Sequence, residues 1–249
     1  MLVPSASYRL PHRAAAGSSN MTLDRDLLRW VRESDARLLF RTYAWERPTL
    51  SLGRSEPYPT GWDEEAIARA GIEVARRPTG GSAVLHVEEV TFALAASLPG
   101  PWDLTPRGFA NAAAEALAET LRSCGLADAR VQEGSVSPSD RGGLCFSSSA
   151  RGEVKARGYK VAGIASRFDR GGALCHASIP LTARSRSIAG FRLDRDSTAL
   201  ERNARSVGEL LGETPESIGD ELARRIETRF GVILADAPFE ILCEPVSSR

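Results

Sequence analysis

Apolar residues recur along this 249-residue chain at two spacings, and the switches between them divide it into elements. In "SNMTLDRDLLRWVRES" the side chains of Met21, Leu23, Leu27, Leu28 and Val31 fall at helical spacing, with Ser19 or Asn20 as the expected cap. "ARLLFRTYAW" and "PTLSLGR" then read as two strands joined at "ERP". "DEEAIARAG" is expected as a short helix with acidic residues in its first turn and Gly71 as its stop. "IEVARRPTGGSAVLHVEEVTFALAASLP" gives strands on both sides of a glycine turn. The clearest helix is "TPRGFANAAAEALAETLRSCG", opened by Thr105 with Pro106 at its first position and closed by Gly125.

Short strands are expected next at 129–133 and 143–147, followed by a hairpin series through "GEVKARGYKVAGIASRFDRGGALCHASIPL". "SVGELLG" and "TPESIGDELARRIETRFG" form a second helical region before a last strand, "VILAD". Strands and helices mix without strict alternation. This order predicts an α/β fold of the α+β type, a mixed and largely antiparallel sheet flanked by helices, rather than a doubly wound parallel sheet. No repeat or long linker divides the chain, so residues 1–249 are expected to form a single catalytic domain.

Composition narrows the function classes. A hydrophobic content of 42% with 26% charge is that of an ordinary globular protein. The formal net charge of zero gives no basic excess for nucleic acid or for an anionic membrane. The N-terminus lacks the apolar core of a signal peptide and no stretch is long and apolar enough to span a bilayer, which makes the cytoplasm the expected compartment. The four cysteines, Cys124, Cys145, Cys175 and Cys243, form no CxxC pair, so no metal site is expected and the thiols are expected to be free. Three of them read as small hydrophobes; Cys145 differs, because glycine and polar residues surround it in "GGLCFSSS".

Two stretches carry candidate chemistry. In "RRPTGGSAVLH" the paired glycines let a ligand approach main-chain N–H groups, and the arginines can bind a carboxylate or phosphate; a plain hairpin turn with solvated arginines is the competing reading. The second concerns lysine. Only two of the 32 basic residues are lysines, Lys155 and Lys160, and both follow Cys145. A lysine ammonium is a compact donor to one oxygen, where an arginine fork clamps two. A nucleophilic cysteine needs a nearby cation or base, which Lys160 or His176 would supply if the hairpins return beside residue 145; a buried structural cysteine is the alternative.

Taken in order, these segments resemble the lipoate/octanoate protein ligase and transferase family, related to biotin protein ligases, over residues 19–235. "RTYAWERPTLSLGRSEP" resembles its W-x-x-P-T-x-S-L-G strand pair, "RRPTGGSAVLH" its R-R-x-[ST]-G-G-x-A-V-x-H signature, "YKVAGIASRF" its lysine segment and "LCHASIPL" its later histidine strand. The resemblance implies the fold shared with biotin protein ligases and class II aminoacyl-tRNA synthetases. It implies substrate binding by Arg77, Thr79, Gly80, Gly81, His86, Gly163 and His176, with residues 77–81 as the acyl-chain loop, and an acyl-oxygen contact from Lys160. Lys155 has no counterpart and is expected on the surface of a strand. Ser82, Val87, Ile164, Ser166 and Ala177 depart from the family pattern.

Two branches share the fold. ATP-dependent lipoate-protein ligases need ATP and magnesium, with an accessory C-terminal domain carried or recruited. Octanoyltransferases need no nucleotide: they take an acyl group from acyl carrier protein onto a cysteine and pass it to a lysine of a lipoyl-domain protein, the glycine-cleavage H protein or a dehydrogenase E2. "GGLCFSSS", with its C-F pair, resembles the cysteine loop of one octanoyltransferase branch, and only a short stretch follows residue 235; the resemblance implies the transferase, with Cys145 as nucleophile and Lys160 as its partner. The ligase catalytic subunit and a non-catalytic acyl or lipoyl-domain binder remain as alternatives.

Overall fold

The apolar stripe that opens the chain packs as α1 (Gly17–Glu33) in a computed structural model describing residues 6–133, 152–193, 198–213, 215 and 217–238. The helix starts earlier than the Ser19 or Asn20 expected from sequence, with Ala16 at its cap position. The reason is tertiary: the Glu73 carboxylate accepts from the backbone N–H groups of Gly17 and Ser18, each at 2.8 Å. A carboxylate thus reaches the positive end of the helix from a distant strand. Asn20 lies within the first turns instead, donating to the carbonyls of Ala15 and Ala44.

Strands β1 (Ala6–Arg9) and β2 (Arg13–Ala15) precede α1; after it come β3 (Ala36–Trp45), β4 (Thr49–Leu52), α2 (Glu64–Arg69), β5 (Glu73–Arg76), β6 (Val84–His86) and β7 (Glu89–Ser97). Helix α3 (Pro106–Ser123) begins as its sequence predicts, the Thr105 hydroxyl accepting from Gly108 N–H at 3.0 Å. Strands β8 (Arg130–Val131), β9 (Val154–Ala156), β10 (Tyr159–Asp169) and β11 (Gly172–Pro180) follow, then α4 (Thr198–Asn203), α5 (Val207–Leu211), α6 (Ile218–Phe230) and β12 (Ala235–Asp236). The turn between β9 and β10 places Arg157 and Gly158 at φ of 51° and 83°, the positive values that a two-residue hairpin needs. The strand expected at 143–147 lies outside the described residues.

The large sheet runs β12-β1-β3-β7-β11-β10-β9-β8, with β2 paired to β3. Its β3-β7-β11-β10-β9-β8 stretch is antiparallel throughout, while β12, β1 and β3 pair in parallel, so the sheet is mixed and largely antiparallel as read from the sequence. Alternation decides the two faces. Leu38, Phe40, Phe92, Leu94 and Cys175 pack with Phe109 and Leu117 of α3 and Ile226 and Phe230 of α6. Leu39, Tyr43, Ala93, Ala95 and Leu174 pack on the other side with Met21, Leu27, Leu28 and Val31 of α1.

The glycine segment departs from the simple turn expected. Strands β5 and β6 do not pair with each other; both flank β4 in a separate three-stranded sheet, β5 parallel to it and β6 antiparallel. Residues 77–83 therefore cross over β4 from one edge to the other.

A buried ionic group fastens α1 to the sheet. Asp24, fully buried, accepts at Oδ1 from Arg41 Nη2 (2.7 Å) and Nε (3.0 Å) and at Oδ2 from the Tyr43 hydroxyl (2.9 Å). His176 Nδ1 also lies 3.0 Å from Oδ2. Burial alone would raise the Asp24 carboxyl pKa, but the Arg41 charge and the His176 contact outweigh it and hold the group below its ordinary value. Burial lowers the His176 pKa, so this imidazole is neutral near pH 7.

Two outcomes are expected. Asp24→Asn leaves the Arg41 guanidinium buried without its counter-ion, and urea unfolding should show a loss of about 3–5 kcal/mol. Both shifts are downward, so both contributions to stability are complete above the unfolded-state pKa and fade as pH falls toward the folded one. Unfolding free energy should therefore decline as pH drops below about 6.5 (His176) and again below about 3.8 (Asp24), and His176→Gln should remove the upper phase.

Candidate active site

Strand register brings polar residues together on the face of the sheet that packs against α1. One row across four strands is Tyr43, Thr91, Ser178 and Gly163, and the next is Arg41, Ala93, His176 and Ala165. These rows contribute Tyr43, Thr91, Ser178, Gly163, His176 and Ala165 to the lining of a cavity of about 190 Å³. The small sheet and its crossover add Ser51, Arg77, Gly81, Ser82, Val84 and His86, and Met21 comes from α1. Trp45 and Glu153 complete the polar and aromatic part of the wall.

Arg77 is buried, against the solvated role open to it in the sequence, and its five N–H donors are all directed at protein acceptors. Nη1 meets the Ser51 carbonyl (2.9 Å) and hydroxyl (3.2 Å); Nε and Nη2 meet the Gly80 carbonyl (3.2 and 2.9 Å); and Nη2 meets the Ser82 carbonyl (2.7 Å). The guanidinium shapes the glycine loop from within. Gly81 stands at φ of 91°, and a Cβ on Gly53 would lie 1.8 Å from the Gly81 carbonyl oxygen. The two backbones thus meet at a distance that only glycine permits.

Both cavity histidines are held at both nitrogens. Thr79 Oγ1 lies 2.6 Å from His176 Nε2, whose Nδ1 faces Asp24. Ser51 Oγ lies 2.6 Å from His86 Nε2, whose Nδ1 is 2.7 Å from Glu89 Oε1. The Glu89 carboxylate is fully buried and also accepts from Trp45 Nε1 (3.1 Å) and from the hydroxyls of Thr91 and Ser178, each at 2.5 Å. The Trp45 ring stacks on His86 with centroids 4.0 Å apart.

Lys160 is fully buried on β10, and its Nζ lies 2.5 Å from Glu153 Oε1. Glu153 lines the cavity, so a carboxylate stands at the cavity surface next to the lysine. Lys155, expected on a strand surface, pairs across from Lys160 and is half-buried. Cys145 and Cys243 lie outside the described residues. Cys175 is in the core, its thiol pushed up to about 12 by burial, and burial also raises the Cys124 thiol, so neither supplies a thiolate near neutrality. Among the described residues, no group of three or more His, Cys, Asp or Glu gathers to hold a metal ion, and no helix is long and apolar enough to cross a membrane.

The structure thus collects Arg77, Gly81, His86, Gly163 and His176 at one cavity, sets Thr79 against His176 and leaves Gly80 exposed, outside the lining. Sequence reasoning missed Asp24, Ser51, Glu89 and Glu153. Asp24 carried a readable signal, a carboxylate three residues after Met21 and three before Leu27 on the apolar stripe. Glu153 is joined to Lys160 only through the hairpin fold.

Octanoyltransferase LipM of Geobacillus kaustophilus is 34% identical to this chain over 170 residues, 65% of this chain and 60% of that protein, so the chain spans about 60% of that relative's length. The Bacillus subtilis octanoyltransferase LipM is 32% identical over 67% of this chain and 62% of its own length. That of Kyrpidia tusciae is 30% identical over 96% of this chain and 92% of its own length. Among solved structures, lipoate-protein ligase A bound with ATP aligns at a TM-score of 0.75 with 20% identity, covering 93% of this chain and 88% of that one. The bipartite lipoate protein ligase of Thermoplasma acidophilum gives the same TM-score at 19% identity, covering 93% and 86%. These two likenesses establish the shared fold. The model of the lipoyl protein ligase A/B catalytic domain matches residues 17–229, which span every strand and helix that builds the cavity, and the chain belongs to that family.

Proposed function

We propose that the chain is an octanoyltransferase, moving an octanoyl group from acyl carrier protein through a thioester at Cys145 to a lysine of a lipoyl-domain protein. The observation that carries this reading is the alignment with an octanoyltransferase along 96% of the chain and 92% of that relative. The cavity is compatible with it: alkyl carbons can lie along Met21, Val84 and Ile164, while polar groups cluster at Glu153, His86 and His176. The elevated thiols of Cys124 and Cys175 leave the nucleophile's part to another cysteine, and Cys145 is the one set in a polar, glycine-rich segment.

In the first step the Cys145 thiolate attacks the donor's thioester carbonyl, the carbon–sulfur bond to the carrier breaks, and the carrier thiolate takes up a proton. One thioester replaces another, so no nucleotide is required. In the second step the acceptor amine displaces the Cys145 sulfur and leaves an amide. Lys160 is the donor to the carbonyl oxygen as negative charge develops there; its three N–H groups let one ammonium serve Glu153 and an acyl oxygen together. Glu153 keeps that ammonium in place within the protein interior.

Intact mass spectrometry of the protein after octanoyl acyl carrier protein is added without ATP should show an octanoyl adduct on Cys145, which then moves to an apo lipoyl domain. Cys145→Ser should form no thioester adduct and lose transfer, whereas Cys175→Ser should keep it. Acceptor modification that requires free octanoic or lipoic acid with ATP, and is indifferent to Cys145→Ser, would assign the chain to the ligases. Lys160→Met should lower the transfer rate about 10²–10³-fold, with Lys155→Met close to wild type, when each is followed by the same assay.

A further inference from the structure

The two histidines of the cavity sit in matching arrangements, hydroxyl to Nε2 and carboxylate to Nδ1, yet their carboxylates differ electrically. Asp24, behind His176, is neutralised by the Arg41 guanidinium at 2.7 Å. Glu89, behind His86, receives N–H and O–H donors from Trp45, Thr91 and Ser178, and no lysine or arginine pairs with it among the described residues. The negative charge of Asp24 is therefore already balanced by a fixed cation, and burial keeps His176 neutral. Among the described residues, the basic side chain that pairs with Glu89 is the His86 imidazole.

The hydrogen bonds assign the tautomer of that imidazole in its neutral form. An ionised Glu89 carboxylate can only accept, so neutral His86 donates its Nδ1–H to it. Nε2 is then the acceptor, meeting the hydrogen of the Ser51 hydroxyl 2.6 Å away, while that hydroxyl accepts from Arg77 Nη1 at 3.2 Å. Nε2 is the nitrogen left to take up a proton, and its partner Ser51, like His86 itself, is among the residues that line the cavity. A proton taken up there lies on an imidazole placed between the Glu89 carboxylate and the stacked face of Trp45.

From this asymmetry we infer that Ser51, His86 and Glu89 form the proton relay of the amide-forming step, with Glu89 positioning His86 and Ser51 passing the proton to it. This rests on the acyl-transfer reading given above. An acceptor lysine arrives as an ammonium and must lose a proton before its nitrogen can attack. In the balanced step the carbon–nitrogen bond forms and the carbon–sulfur bond breaks. Of the two protons leaving nitrogen, one passes through Ser51 Oγ to His86 Nε2 and the other ends on the departing sulfur as a thiol. The imidazolium afterwards returns its proton to solvent. No electrons are exchanged with any other group.

The charged and titratable groups around His86 are Glu89 at the start of β7, Arg77 through Ser51, His176 from β11, Glu153 across the cavity, and, on the outer side, Glu46, Arg47 and the Glu88–Arg184 pair. Trp45, His86 and Glu89 line this outer cleft as well as the proton path, with the Trp45 ring stacked on the imidazole between cleft and cavity.

The test separates the two half-reactions in the full chain. Protein loaded from octanoyl acyl carrier protein is mixed with an apo lipoyl domain between pH 6 and 9.5, and amide formation is followed by rapid-quench mass spectrometry. Ser51→Ala and His86→Gln should slow amide formation at pH 7 about 10²–10⁴-fold while changing loading far less. Their deficit should shrink as pH rises and the acceptor supplies its own free amine, and Ser51→Thr, which keeps the hydroxyl, should recover most of the rate. The Gln amide can still donate to Glu89, and melting curves identify any variant that is merely unfolded. A deficit that is the same at pH 7 and 9.5, or equal in both half-reactions, would overturn the relay and leave these residues as packing. If wild-type protein takes up no octanoyl group, the thioester reading fails by itself. The same pH comparison started from octanoyl-adenylate then decides the relay, because that aminolysis must remove the same ammonium proton.

Discussion

A single carboxylate, Asp24, sets the geometry on which the cavity depends. Its four hydrogen bonds join α1 to β3 through Arg41 and Tyr43 and to β11 through His176, and His176 in turn holds Thr79 of the crossover segment. An ion in the protein interior is tolerated only when each lone pair is met, so these partners cannot drift independently. Burial and the neighbouring Asp24 charge push the Tyr43 phenol well above its ordinary value, which keeps it a donor at any working pH. The price of removing any one partner is a buried charge or hydroxyl left without a match.

The crossover is held from a second direction by Arg77. A loop that carries consecutive glycines has many conformations available, and the guanidinium selects one by bridging the carbonyls of Ser51, Gly80 and Ser82. Its contact with the Ser51 hydroxyl then carries that order into the histidine beyond it. The shape of the loop and one contact of the Ser51 hydroxyl therefore come from one side chain. An arginine suits the place because its planar fork has five donors and no acceptor, so every partner it meets is forced to accept.

Local rules made much of the fold legible. Helix α3 announces itself by Thr105, Pro106 and an apolar stripe, and the β9–β10–β11 series by alternation punctuated at Arg157–Gly158 and Gly171–Gly172. What local rules miss is partnership at a distance. The early start of α1 depends on Glu73, more than fifty positions away in sequence, and the pairing of both β5 and β6 with β4 depends on where the crossover is pinned. At the site, the motif residues Arg77, Gly81, His86, Gly163 and His176 were legible because they recur in a recognisable order. The carboxylates that give the two histidines different characters were not, since a carboxylate's surroundings are a property of the folded sheet.

The departures from the family pattern are accommodated by the same logic of backbone and replacement. Ser82 meets Arg77 through its carbonyl, an atom every residue has, so a side chain there leaves the clamp intact. Val87 takes the place of an aspartate next to His86 and packs against the small sheet's apolar cluster, while the carboxylate that His86 contacts is Glu89, two positions further along. Ser166 pairs across the strands with Cys175, at the end of β10 away from Lys160. Ile164 and Ala177 add apolar surface to the cavity next to Gly163 and His176. Of these changes Ser82, Ile164 and Ala177 fall on the wall of the cavity, and the polar contacts of Arg77, His86 and His176 persist around them.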